Sequence, residues 1–360
     1  MEKDRSLYLN AKQVNPNVSF ELDVRNVDFV RYQTPRLNKA VQEMKVPIAA
    51  DQMIEKFIKD GWVFEKNEED LCREFLKEIN FYTLKYYAKG ISSKSFNATK
   101  AVYDFDAFLQ NSIQELTSIV EKFLRTLTVD SISWAYQQQA DQEYDPAQFY
   151  LDESLYFSET GKHKRSGRRE KEIAQVQYGF FKTIMENKEY PPVKKELDKY
   201  GGVSSWVLFD LITFGQLSFF FGKLTTKYKK IVVRELNEMN SFNEQCTDQL
   251  LSSWINAIRA LRNKVSHGMK VYGEPFTVLA TMHDGDKEFI ATIDPSKQNH
   301  LVNTLFVMRR IIMCMSSEKH QVWNQKMIEI DERIKENDYL LFRELGLSED
   351  WLNHFLIKKY

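Results

Sequence analysis

Apolar residues recur at alternating spacings of three and four along most of the chain, the period of helices that bury one face. The longest such run is Val102 to Leu127, with Leu109, Ile113, Leu116, Val120, Phe123 and Leu127 in register. A shorter run follows Pro47, where Ile48, Met53, Ile54, Phe57 and Ile58 share a face and Gly61 is placed to end the helix. Another covers Asp70 to Lys89 with Leu71, Phe75, Ile79 and Tyr82. Its aromatics Phe81, Tyr82, Tyr86 and Tyr87 suit either a core cluster or base stacking. The stretch VSSWVLFDLITFGQLSFFFGKL is apolar nearly all the way round, as a membrane span or a helix buried among others would be. Asp210 and Gln216 near its middle disfavour the span, because a carboxylate in lipid is strongly unfavourable. A buried helix then requires a cationic partner for Asp210, with Arg262 or another basic group of the Leu250 to Gly273 stretch the candidate.

Further on, PFTVLATMHDGDKEFIATID reads as two short strands about Asp284-Gly285-Asp286, a hairpin signal. His283 with Asp284 and Asp286 has the residue types of a metal site, but turn chemistry explains them more simply. HLVNTLFVMRRIIMCM returns to helix, a charged helix follows, and YLLFRELGLSEDWLNHFLIKKY closes the chain. The expected fold is therefore all-α with a small β-hairpin insertion. Its expected divisions are an N-terminal extension (1–45), an N-terminal helical half (46–155), a basic loop and connector (156–200), a second helical half (201–320) and a C-terminal helical tail (321–360). Pro191-Pro192 and Gly201-Gly202 mark the internal boundary.

The stretch that carries chemistry is LLSSWINAIRALRNKVSHGMKVYG, Leu250 to Gly273. On a wheel of roughly 100° per residue, Leu250, Leu251, Trp254, Ile258, Leu261, Val265 and Met269 form a core stripe. The opposite arc carries Arg262, Ser266, Arg259, Lys270, Asn263, Asn256 and His267, with Arg262 and His267 about 140° apart at its borders. An imidazole exchanges protons near neutral pH and a guanidinium holds phosphate, so the pair suits metal-free phosphodiester cleavage. Of the six histidines only His267 has an Arg four to six residues upstream, yet such a pair also occurs on a plain solvated face. Glu121 and Arg125, spaced i,i+4 in the favourable order, make either a surface ion pair or part of the same cleft.

Composition narrows the partners. With 50 Lys+Arg against 51 Asp+Glu, any nucleic-acid binding has to come from local patches. Tyr156 to Lys171 supplies one: a loop with Lys162, His163, Lys164, Arg165, Arg168, Arg169 and Lys171, either solvated or phosphate-binding. Lys223, Lys227, Lys229, Lys230 and Arg234 are a second. Cys72, Cys246 and Cys314 lie far apart without CxxC spacing, which argues against disulfides and structural zinc and fits a reducing cytoplasm. MEKDRSLYLNAKQ lacks the apolar region of a signal peptide.

Arg262-Asn263 with His267 resembles the RNxxxH motif of HEPN ribonucleases, and the order of several segments resembles the Abi family of abortive-infection proteins, of the AbiD and AbiF type. Those segments are INFYTLKYY, VYDFDAFLQ with Asp106, IVEKFLRT with Glu121 and Arg125, WVLFDLITFGQLS with Asp210, SWINAIRALRNKVSHGMKVYG and LGLSEDW. The family's helical domains are also similar to those of the Cas13 nucleases. The resemblance implies a HEPN-like helical bundle and a cofactor-free endoribonuclease used in antiphage defence or as a toxin. It implies that His267 moves the proton, Arg262 holds the scissile phosphate and Asn263 orients them, with Asp210, Glu121 and Arg125 in support. Lys162, Lys164, Arg165, Arg168, Arg169 and Lys270 would contact RNA. A homodimer, a small inhibitory RNA and no membrane are the implied partners. Three departures stand out: Asp210 where the family has Glu, Lys270 and Gly273 where it shows Arg and Asn, and Met269 where nucleotide-modified HEPN toxins carry Tyr. An RNA-binding protein that does not cut, and a helical scaffold, are the rival readings.

Overall fold

The computed structural model describes residues 48–65, 67–89, 91, 94–139, 143–156, 166–240 and 245–358, with backbone alone for 166–170 and 292. The expected extension 1–45 and Lys162, Lys164 and Arg165 of the basic loop lie outside them, and of Arg168 and Arg169 only the backbone is described. The chain divides into two compact units, Met1–Phe57 and Ile58–Tyr360. In the first, helix α1 (Ala50–Lys59) begins, and Ile54 and Phe57 are buried as their spacing predicts.

Among the described residues the second unit has helices as its regular elements. Its order is α2 (Glu68–Glu78), α3 (Phe81–Tyr87), α4 (Phe96–Gln137), α5 (Ser166–Glu186), α6 (Pro191–Tyr200), α7 (Ser205–Leu211) and α8 (Phe214–Lys223). There follow α9 (Thr226–Glu238), α10 (Asp248–Ser266), α11 (Asp284–Thr292), α12 (Leu301–Ile312), α13 (Ser317–Lys335) and α14 (Leu352–Phe355), with 3₁₀ turns between some of them. The axis is α4, 42 residues and about 63 Å long. Ser95 caps its start by accepting from Ala98 N–H, and Leu109, Ile113, Leu116, Val120 and Leu124 are wholly buried along it. Helices α7, α9, α10, α12 and α13 pack against it. No helix of the described residues is long and apolar enough to cross a membrane.

The apolar stretch after Gly202 is two helices, not one. Thr213 accepts from Gln216 N–H (3.1 Å) while Gln216 Oε1 accepts from Thr213 N–H (2.7 Å), a capping box that ends α7 and starts α8. Phe209 and Phe220 meet edge to face at 5.1 Å in the core, whereas Asp210 is exposed. The expectation of a buried Asp210 fails because the break lets its side of α7 face solvent.

The predicted hairpin is absent, and no strand occurs among the described residues. The first would-be strand pairs with side chains instead: Ala280 N–H donates to Asn303 Oδ1 (2.8 Å), Thr281 N–H donates to Ser253 Oγ (2.8 Å), and Thr281 carbonyl accepts from Trp254 Nε1 (2.8 Å). The would-be turn is the first turn of α11. His283 caps it, Nδ1 accepting from Gly285 N–H (3.1 Å). Asp284 and Asp286 suit its positive end, and Asp286 forms a buried two-point pair with Arg310 at 2.5 and 2.8 Å. No cluster able to hold a metal is found among the described residues.

Two contacts set the last turns. Gly346 (φ 76°) comes so close to Lys297 carbonyl and Val302 that a Cβ would sit 2.6 Å from each. His300, buried before α12, has its pKa held below 6.5 first by burial and then by Lys297, with Glu344 and Glu274 opposing and Lys264 adding to the lowering. Between that lowered value and 6.5 the unfolded chain binds more protons than the fold, so stability falls as pH drops through 6.5. The loss is complete below the folded value. His300→Gln is expected to remove this component. In urea titrations the variant should gain on the parent between pH 7 and 5, and a constant difference would show that His300 is not the cause.

Candidate active site

Helix α10 starts with Thr247 accepting from Leu250 N–H (3.2 Å) and buries Leu251, Trp254, Ile258, Leu261 and Val265 as expected. It ends sooner than the pattern predicts. Met269 N–H donates to Lys264 carbonyl and Gly268 N–H to Val265 carbonyl, both 3.0 Å, with Gly268 left-handed at φ 63°. This is a Schellman stop, and it makes His267 the C-cap. Met269, placed on the core stripe by the wheel, is consequently 55% exposed, and Lys270, placed on the polar arc, is 7% exposed. A Cβ at Gly268 meets nothing within 4 Å, so Gly268→Ala carries only the penalty of the left-handed backbone, about 1 kcal/mol. A thermal midpoint unchanged in that variant would contradict the turn.

Beyond the stop the chain is tied to α4 by Asp106, which is wholly buried. Its Oδ1 accepts from Val271 N–H (2.9 Å) and Tyr272 N–H (2.7 Å), and its Oδ2 accepts from Tyr87 Oη (2.5 Å) and Gln110 Nε2 (2.7 Å). Burial, then Asp106, raise the Tyr87 pKa, so its phenol keeps the proton it donates. Lys270 lies over the Tyr86 and Tyr87 rings at 5.3 and 5.2 Å, with Glu274 at 3.9 Å. Burial, the largest influence, lowers its pKa. Lys270 thus serves the anchor beneath the turn and is not presented on the outer arc. Of the aromatic group, Phe81 and Tyr87 are core while Tyr82 and Tyr86 are exposed.

The outer face of α10 carries the rest. Ser266 Oγ donates to Gln114 Oε1 of α4 (2.7 Å). Arg262 Nε lies 3.5 Å from Glu121 Oε2, and the other oxygen of Glu121 takes Arg125 Nη2. One carboxylate, 8% exposed, is therefore shared by two guanidinium groups. Arg125 Nη1 also donates to the backbone carbonyl of Asp210 (2.9 Å), capping the negative end of α7. That carbonyl is the link between Asp210 and the site; its exposed carboxylate forms no ion pair among the described residues, so the expected contact to Arg262 is not made.

Arg262 remains one third exposed, and among the described residues no hydrogen bond reaches its guanidinium. His267 is exposed, its N–H bonded to Asn263 carbonyl (3.1 Å) and its ring without a partner among the described residues. In the second basic run Lys223 pairs with Glu172 at 2.8 Å and Arg234 with Glu235 at 2.9 Å. The motif reading passed over Asp106, Gln110, Gln114 and Thr117 as a set, although with Glu121 and Arg125 they form a polar row at spacings of three and four along α4. That periodicity was visible beside the apolar one of the same helix.

A family model described as Abi-like protein matches residues 74–273, more than half of the chain. The chain belongs to the Abi-like family. The matched span opens within α2 and closes at Gly273, just past the two backbone groups held by Asp106. It holds the whole polar row of α4 and the α10 motif, so the Abi-like region coincides with the elements that build this site. Searches of curated proteins and of solved structures found no match.

Proposed function

We propose that this Abi-like protein is a HEPN-type endoribonuclease of abortive infection that cuts RNA without a metal. The supporting observation is an exposed imidazole at the end of α10, five residues after a guanidinium that Glu121 steadies on one edge and that has no hydrogen bond among the described residues. In the proposed reaction the RNA 2′-oxygen attacks the adjacent phosphorus and the bond to the 5′-oxygen breaks, leaving a 2′,3′-cyclic phosphate and a 5′-hydroxyl. His267 takes the 2′ proton, Arg262 stabilises charge on the phosphate oxygens, and Asn263, bonded through its backbone to His267, keeps the two in register. The leaving 5′-oxygen also needs a proton. A homodimer that brings two troughs together supplies it from the second imidazole. Lys162, Lys164, Arg165, Arg168 and Arg169 then hold the RNA backbone, and a small inhibitory RNA would compete there.

Labelled RNA incubated with the protein in EDTA is expected to yield fragments with cyclic phosphate and 5′-hydroxyl ends. RNA bound but intact would make the protein a holder of RNA, and RNA neither bound nor cut would leave a helical scaffold.

A further inference from the structure

Two tryptophans stand out of the fold with no core role. Trp134 on α4 is 68% exposed and Trp206 on α7 is 54% exposed. Both line one surface cavity of about 400 Å³, with Asp130, Ser133 and Asp145 also on its walls. A second cavity of about 510 Å³ shares Asp130 and Trp134 and continues towards Arg234 of α9 and Met239 just past its end. Among the described residues no lysine or arginine lines the first.

The cavity shares helix α4 with the Arg262 trough. Arg125 meets Asp210 at 2.9 Å, and Ser133 Oγ lies 3.4 Å from Ser205 Oγ, so α4 and α7 run antiparallel. Trp134 and Trp206 are each the next residue after that serine pair, while Glu121, which holds Arg262, sits at the other end. Asp130 and Trp134 are thus about 13 and 20 Å along α4 from Glu121.

The lining defines a ligand class. Indole faces take flat π systems, and stacking of a base on an aromatic ring strengthens binding about tenfold or more. Walls with carboxylates and no cation disfavour phosphate and favour N–H donors. Asp130 is exposed and forms no hydrogen bond or ion pair among the described residues, so its carboxylate is open to a ligand, and partial burial raises its pKa. Among the nucleobases, guanine alone presents two adjacent donors, N1–H and the 2-amino group, a fork that one carboxylate can accept at both oxygens.

We propose that the Trp134–Trp206 cavity is a nucleobase subsite selective for guanine, holding a base of the RNA strand whose backbone lies at Arg262 and His267. The assignment rests on the RNA reading of that trough, but binding of a free nucleotide tests it separately. Calorimetric titration of the full chain with guanosine, adenosine, cytidine and uridine 5′-monophosphates is expected to show saturable binding at least tenfold tighter for guanosine monophosphate. Asp130→Asn should abolish that preference, and Trp206→Ala or Trp134→Ala, both at exposed positions, should weaken binding tenfold or more.

No saturable binding of any nucleotide, or binding indifferent to all three substitutions, would overturn the subsite. So would uptake of arginine amide or tetramethylammonium without nucleotide, which would make the cavity a cation cage. A preference for another base that survives in Asp130→Asn would overturn the guanine assignment. The two readings fail separately. Nucleotide binding with no RNA cleavage in EDTA keeps the subsite and removes the nuclease; cleavage with no nucleotide binding does the reverse.

Discussion

Asp106→Ala is expected to destabilise the protein by about 3 kcal/mol or more, a large part of the 5–15 kcal/mol that folded domains have. The substitution leaves Val271 N–H, Tyr272 N–H and the Tyr87 hydroxyl buried without an acceptor, and each such group costs roughly 1–3 kcal/mol. Asp106→Asn should be far milder. Its remaining oxygen still accepts from Val271 and Tyr272, and its amide can donate to the Tyr87 oxygen. Urea midpoints at neutral pH separate the two. Equal effects of Ala and Asn would mean that the four hydrogen bonds do not anchor the turn after His267.

The second large effect is expected at Glu121. Glu121→Gln preserves volume and removes the one carboxylate that, among the described residues, pairs with Arg125 and Arg262, leaving two guanidinium groups without an anion between them in a mostly buried setting. Removing one member of a buried pair costs about 3–5 kcal/mol, and the one-third exposure of Arg262 puts this case at the lower end. Arg262 also loses its support. A displacement of about 1 Å in a group that contacts the phosphate slows reaction on the order of a hundredfold. Thermal midpoint and RNA cleavage should fall together. A Glu121→Gln protein with parental stability and rate would show that Glu121 does not position Arg262.

What could be read from residues alone was the interior of long helices. The runs through Leu109 to Leu127 and Leu251 to Val265 set α4 and α10 because burial repeats over many turns and averages out local exceptions. Helix ends depend on single residues. The Gly268 stop moved Met269 and Lys270 off the arcs that an uninterrupted wheel assigns them. Thr213 and Gln216 carry the T-x-x-Q signature of a cap, which was legible but outweighed by the apolar residues around it. The Asp284-Gly285-Asp286 turn suited a hairpin equally well by composition. Its outcome was set by His283 as a cap and by the distant Arg310, and sequence spacing does not show contacts over such separations.

The site divides in the same way. Arg262, Asn263 and His267 were visible as a motif on one helix, and Glu121 with Arg125 as a pair on another. Their junction through a shared carboxylate is a tertiary fact. Asp210 was singled out for its charge, yet its backbone carbonyl makes the contact, and a carbonyl belongs to every residue. Asp106 was noted within a resembling segment, without the role of tying the chain beyond the motif back to α4.

The most direct measurement is RNA cleavage in EDTA by His267→Ala and Arg262→Ala proteins whose thermal midpoints match the parent. Loss of a proton-moving group lowers rate by about 10²–10⁴, and that is the loss predicted for His267→Ala, with Arg262→Ala similarly impaired. Parental cleavage by folded His267→Ala protein would contradict the account.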